Sequence, residues 1–257
     1  MGAILTVQGL TRFFGGLAAV TDLSFEVRSG EILSLIGPNG AGKTTVFNLI
    51  TGTLLPSRGK VLFQGHEITG SRPYESIALG IARTFQTTSL FYDETVVDNL
   101  IVSYRCRTRM GLWDAVFQTG RSREDERRCR RKAEEILDFI GLSERASELA
   151  RNIPQESQKR LAVALALVTE PELLLLDEPM GGLTEEENSG MMALIQKVRT
   201  QGISILLIEH KMKIVMNISD RIVVINYGQK IAEGPPQEVG RNSAVIEAYL
   251  GAGYAKT

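Results

Sequence analysis

The run Gly37-Pro38-Asn39-Gly40-Ala41-Gly42-Lys43-Thr44 follows the pattern G-x-x-x-x-G-K-[ST], with Thr45 next in line. Glycines at this spacing let successive backbone N–H groups turn inward around phosphate oxygens. A helix that starts where the loop ends presents its positive end to the same anion. Lys43 there reaches the β- and γ-phosphates of a nucleotide, and the Thr44 hydroxyl is a ligand for Mg²⁺. A second constellation is Leu173-Leu174-Leu175-Leu176-Asp177-Glu178, an apolar run ending in two acids. Asp177 is placed to hold Mg²⁺ through water. Glu178, one residue on, is placed to polarise an attacking water as a general base. The plainer alternative is that both acids cap a following helix. His210 closes the run Leu207-Ile208-Glu209-His210 and is one of the chain's 2 histidines. At the carboxyl edge of a parallel sheet it can hydrogen-bond a γ-phosphate; the alternative is a structural cap. His66, in Gly65-His66-Glu67, is expected to be an exposed loop residue.

These residues need elements to hold them. Ile4, Val7 and Leu10, a turn at Phe13-Phe14-Gly15-Gly16, and Leu23, Phe25 and Val27 predict an antiparallel ribbon. Residues 31–36 read as a buried strand that delivers Gly37, followed by a helix over 43 to about 54 and a strand at 61–63. From about 87 to 160 strand signals vanish, and helical patterns run through 96–104 and 134–140. Strand texture then resumes at 173–176, with a helix at 185–200, a strand at 203–208, a helix at 211–218 and a hairpin over 222–232. Strands alternating with helices imply a largely parallel sheet. The expected organisation is one α/β unit over 1–257. Its core and β part are 1–86 and 161–257, and a helical insertion covers 87–160.

Composition excludes several classes. The chain has 257 residues, 43% hydrophobic and 23% charged, with 29 Lys+Arg against 30 Asp+Glu for a net charge of -1. This is the balance of a globular protein rather than a disordered one, and it gives no global reason to bind nucleic acid. The longest apolar run, 161–168, is far short of the ~20 residues that span a bilayer. The opening MGAILTVQGLTRFFGG has no basic stretch followed by an apolar one, so no signal peptide is expected. Cys106 and Cys129 form no metal spacing and are expected to stay reduced.

With these motifs in order, the chain resembles the ATP-binding cassette (ABC) ATPases along essentially its whole length. Within them it is most similar to the subgroup serving branched-chain amino acid uptake. The runs Ile81-Ala82-Arg83-Thr84-Phe85-Gln86-Thr87, Glu178-Pro179-Met180-Gly181-Gly182-Leu183, Glu209-His210-Lys211-Met212 and Val245-Ile246-Glu247-Ala248-Tyr249-Leu250-Gly251 carry that likeness. The resemblance implies a P-loop NTPase (RecA-like) core with an antiparallel β subdomain and an inserted α-helical subdomain. It implies ATP and Mg²⁺ as cofactors and ATP hydrolysis coupled to transport. It assigns Phe14 as the aromatic that stacks on adenine and Gln86 as a sensor of Mg²⁺ and the γ-phosphate. Asp177-Glu178 become the Walker B acids, residues 180–184 the D-loop and His210 the switch histidine. Two such cassettes, identical or homologous, close head to tail around two ATP molecules. They drive integral membrane permease subunits from the cytoplasmic face, and an extracytoplasmic substrate-binding protein acts indirectly.

One segment departs from the family pattern. Where the signature reads Leu-Ser-Gly-Gly-Gln, this chain has Ile153-Pro154-Gln155-Glu156-Ser157. Pro154 offers neither hydroxyl nor N–H. Glu156 is expected either to set a negative charge against the partner cassette's ATP or to turn to solvent while Ser157 caps the helix. A homodimer with this signature would carry two weak sites, so a homologous second ATPase is the expected partner. The Arg-rich stretch 105–132 reads as a solvated face, or as a contact for permease loops or anionic headgroups, and Trp113 as packing within the insertion. The competing functions are a soluble ABC ATPase of the iron–sulfur-assembly type and a nucleotide-binding regulatory subunit that has lost turnover.

Overall fold

Buried apolar strands set the layout. The computed structural model describes residues 2–84, 90–107 and 120–250, with side chains at 2–84, 90–104 and 127–249. β1 (Ala3–Phe14) and β2 (Leu17–Arg28) form the expected ribbon, and the turn falls on Gly15-Gly16 alone. They join β4 (Arg58–Phe63) and β5 (His66–Glu67) in an antiparallel sheet of order β2-β1-β4-β5. His66 is exposed on this edge.

The second sheet has the order β10-β9-β3-β8-β7-β6. It contains β3 (Ile32–Ile36), β6 (Ile81–Arg83), β7 (Leu173–Asp177), β8 (Ser204–Ile208), β9 (Arg221–Asn226) and β10 (Gln229–Gly234). β3, β6, β7, β8 and β9 pair in parallel, and β10 returns antiparallel beside β9. Every residue of β3, β7 and β8 is buried. That explains why these strands are near-continuous apolar runs instead of alternating ones, since both faces are covered. Leu173, Leu175, Leu206 and Ile208 pack into a core shared with the antiparallel sheet. Leu174, Leu176, Ile205 and Leu207 pack into a second core on the opposite face.

Helix α1 (Lys43–Ile50) follows the glycine loop and ends four residues earlier than the sequence suggests, where Thr51 Oγ1 folds back onto the Phe47 carbonyl. α2 (Pro73–Leu79) leads into β6. The insertion holds α3 (Val96–Arg107), α4 (Gly120–Ile140) and α5 (Gln155–Leu167). α3 and α4 are both longer than their periodic cores at 96–104 and 134–140. α5 crosses residue 160 without a break, so a boundary there falls inside one helix. The chain closes with α6 (Glu185–Thr200), α7 (Met212–Ile218), α8 (Pro236–Val239) and α9 (Ser243–Leu250). Cys129 is a free, buried thiol. Arg127, Arg128, Arg130 and Arg131 are exposed, with Arg130 near Glu134 at 3.4 Å and Lys132 on Glu170 at 2.8 Å. Trp113 lies outside the described residues. Among the described residues no helix is long and apolar enough to cross a membrane.

The two-sided core makes the strand centres sensitive to lost volume. Leu175→Ala, at a fully buried position of β7, is expected to cost about 2–5 kcal/mol. Urea unfolding at constant m-value measures it. A midpoint shift equivalent to less than about 1 kcal/mol would contradict the packing described.

Candidate functional site

Parallel register brings three strand ends to one edge. Asp177, the last residue of β7, stands opposite Ile208, the last of β8, and the Glu178 N–H donates to the Ile208 carbonyl at 3.0 Å. Leu35 of β3 pairs with the same Ile208, so the loop that starts at Gly37 opens beside Glu178 and His210. In open sheets of this kind ligands bind at the carboxyl edge of the strands.

The glycine loop is held from two sides. Gly42 caps α1 with φ 101°, and a Cβ there would lie 2.5 Å from the Ala19 carbonyl oxygen. At Gly37 a Cβ would meet the Ile225 carbonyl oxygen at 2.1 Å. No side chain fits at either place, because β2 and β9 press directly on the loop backbone. The Gly228 N–H donates to the Ala41 carbonyl, and the Gly228 carbonyl accepts from Thr21 N–H. Lys43 is buried and its Nζ donates to the Gly37 carbonyl at 2.7 Å and the Pro38 carbonyl at 3.0 Å. The loop thus curls around its own cation. Burial pushes the Lys43 pKa down, and Glu178 and Asp177 pull it back up. A cleft of about 530 Å³ opens over Asn39, Gly40, Gly42, Lys43, Thr44 and Thr45, with Glu178, Leu17, Ala18, Ala19 and Tyr227 also in its wall.

Asp177 is nearly inaccessible, and Arg83 at the end of β6 binds its Oδ2 at 2.9 Å. Arg83 is itself fixed by Asn48 Oδ1 at 2.6 Å and lies over the Phe47 ring at 5.4 Å. Burial raises the Asp177 pKa, against the lowering effect of Arg83. Its other oxygen, Oδ1, is buried with no hydrogen-bond partner among the described residues. A buried carboxylate oxygen without a donor and the Thr44 hydroxyl on the cleft wall are oxygen donors of the kind a hard divalent cation takes. These residues fit Mg²⁺.

Glu178 has φ 49°, a conformation that non-glycine residues seldom adopt and that clusters at functional sites. His210 Nδ1 lies 3.7 Å from Glu178 Oε2, and the imidazole is half exposed. The capping alternatives do not hold. Thr184 caps α6, accepting from Glu187 N–H at 3.3 Å while its own N–H donates to Glu187 Oε2 at 2.8 Å. α7 begins without a side-chain cap.

The Phe14 ring is exposed, with Arg12 over it at 4.8 Å. Phe14 is the register partner of Leu17, which lines the cleft. For Glu156, the expectation that it turns to solvent while Ser157 caps the helix does not hold. Arg160, one turn along the same face of α5, takes its carboxylate as an ion pair and also donates to the Ile140 carbonyl at 3.1 Å. Ser157 is buried, and α5 starts at Pro154 with no side-chain cap. Ile153 is buried in the core of the insertion, and the Gln155 amide lies against Gly182. Gln86 falls outside the described residues. Sequence reasoning assigned no role to Arg83, Glu209 or Lys211. Arg83 gave no signal because β6 is a three-residue edge strand.

Residues 20–181 match the model of the ABC transporter family, and 229–255 that of the branched-chain amino acid ATP-binding cassette transporter family. The chain is 43% identical to the high-affinity branched-chain amino acid transport ATP-binding protein LivG of Escherichia coli, over 96% of this chain and 98% of that one. It is 42% identical to BraF of Pseudomonas aeruginosa, over the same shares of each chain. Two solved structures are similar at 31% identity. A nucleotide-free ATP-binding cassette from an ABC transporter has a TM-score of 0.86, with 97% of this chain and 100% of that one covered. An ABC transporter cassette in its ADP conformation has a TM-score of 0.85, with 98% and 100% covered. The glycine loop, the acids at the end of β7 and the histidine after β8 therefore belong to an ATP-binding cassette, and the chain is a member of the ABC transporter ATPase family.

Proposed function

We propose that this chain is the ATP-hydrolysing subunit of a membrane importer for branched-chain amino acids. The observation that carries the reading is the gathering of Lys43, Asp177, Glu178 and His210 at one sheet edge around the glycine loop. Residues 37–45 bind the phosphates, and Lys43 leaves the carbonyls of its own loop for the β- and γ-phosphate oxygens. Thr44, Asp177 and Gln86 would hold Mg²⁺, which would supply positive charge against the phosphates. Glu178 accepts a proton from the attacking water, and His210 donates to the γ-phosphate. Leu17, Tyr227 and Phe14 form the rim against which the base stacks.

In a head-to-tail dimer the segment 153–157 faces the ATP of a second, homologous ATPase subunit. The membrane partner is a permease docked on the helical insertion at the cytoplasmic face. An extracytoplasmic binding protein feeds that permease. The names of the relatives support the amino acid class, since LivG and BraF are branched-chain amino acid transport proteins.

Lys43→Ala removes charge-assisted hydrogen bonds, each worth about 1.5–3 kcal/mol, and is expected to weaken ATP binding at least tenfold. Calorimetry measures the binding, and uptake of labelled leucine by reconstituted vesicles should fall with it. Unchanged affinity would remove the site assignment, whereas lost affinity with intact uptake would remove the transport assignment.

The Glu156–Arg160 pair generates a second test. Arg160→Met leaves an uncompensated carboxylate at the start of α5. At roughly 8 Å from a phosphate and an effective dielectric of ~20 this costs about 2 kcal/mol, on the order of thirtyfold. ATP-dependent association with the partner ATPase, followed by analytical ultracentrifugation, should weaken accordingly, and adding Glu156→Gln should restore it. No change in Arg160→Met would show that this helix end does not face ATP.

A further inference from the structure

Glu209 is wholly buried directly after β8, yet phosphate chemistry at the site makes no use of it. Its Oε1 accepts the Met180 N–H at 3.0 Å, and its Oε2 accepts the His210 N–H at 3.2 Å. On the other side of His210, Lys211 Nζ donates to the Met180 carbonyl at 3.2 Å and to the Leu183 carbonyl at 3.3 Å. The two neighbours of His210 therefore grip the N–H and the C=O of one residue, Met180, which is itself fully buried. Met180 stands two residues after Glu178. The Glu178 backbone is held from two further directions, its N–H on the Ile208 carbonyl and its carbonyl accepting from Lys159 Nζ at 3.4 Å.

A carboxylate is a costly way to satisfy two buried N–H groups, because burying a charge is far less favourable than burying an amide or a hydroxyl. What the carboxyl group adds is two acceptor oxygens on one side chain, one for the Met180 N–H and one for the His210 N–H. The neighbouring backbone explains the need. Glu178 is held at φ 49°, and a strained conformation persists only where its surroundings over-determine it.

We propose that Glu209 and Lys211 are positioning residues that clamp the 180–183 turn to the loop carrying His210, so that Glu178 and His210 hold one fixed relation to the reacting phosphate. This rests on the ATPase reading above. The clamp touches neither nucleotide nor metal and acts on the turnover step rather than on binding.

The test uses the full chain assembled with its membrane subunits, with ATP affinity and single-turnover hydrolysis measured separately. Glu209→Ala is expected to lower kcat about tenfold or more, as small misplacements of reacting groups do, with ATP affinity within about twofold of wild type. Glu209→Gln, which keeps one acceptor for the Met180 N–H, should recover part of the loss. Lys211→Met, at a partly exposed position, should lower kcat in the same way even if Glu209→Ala fails to fold. In a His210→Ala background, Glu209→Ala should cost no more than about a further twofold, because the groups act as a unit.

A folded Glu209→Ala or Lys211→Met with wild-type turnover would overturn the proposal. So would an undiminished further loss in the His210→Ala background, or a fall in ATP affinity that matches the fall in kcat. A wild-type chain that neither binds nor hydrolyses ATP would instead overturn the ATPase reading itself.

Discussion

The parallel pairing of β3, β8 and β7 is the constraint on which the rest depends. All three are buried along their whole length, so each must be apolar and each must have a layer packed on both faces. Parallel strands of this kind end at the same edge. Chemistry cannot sit within them, and it is pushed to the first residues beyond the apolar runs. Gly37, Asp177-Glu178 and Glu209-His210 are those residues. The register Asp177 to Ile208 turns a statement about hydrophobic burial into one about which side chains meet.

That edge is expensive to maintain. It holds a buried lysine, a buried aspartate on a buried arginine, a buried glutamate and a residue at positive φ. In each case backbone groups or a nearby opposite charge compensate: loop carbonyls for Lys43, Arg83 for Asp177, backbone N–H groups for Glu209. The exception is Asp177 Oδ1, which has no donor among the described residues. A bound cation would provide the missing interaction. Such local conflicts with ordinary rules of burial are expected where function constrains the sequence.

Much of this was legible before any coordinates. The glycine loop, the paired acids after four leucines and the helix at 185–200 are local patterns with local causes, and each lies where its pattern put it. What the sequence hid depends on tertiary pairing. β6 is too short for a periodic signal, so Arg83 carried no hint that it meets Asp177. Glu209 and Lys211 looked like family texture until the fold set Met180 between them. The charge of Glu156 is plain in the sequence, whereas its pairing with Arg160 one turn away needs the helix that begins at Gln155. The role of Phe14 rests on resemblance alone, and the fold adds its pairing with Leu17 of the cleft wall and the Arg12 guanidinium over its ring.

The central claim is that binding and turnover rest on different residues of one edge, the loop around Lys43 for the first and Glu178 for the second. Single-turnover hydrolysis by Glu178→Gln, alongside its ATP affinity, separates them most directly. The amide keeps the shape of the side chain but cannot take a proton from water. The account predicts affinity within about twofold of wild type and hydrolysis slower by ~10²–10⁴. Hydrolysis near the wild-type rate, or binding and hydrolysis lost together, would contradict it.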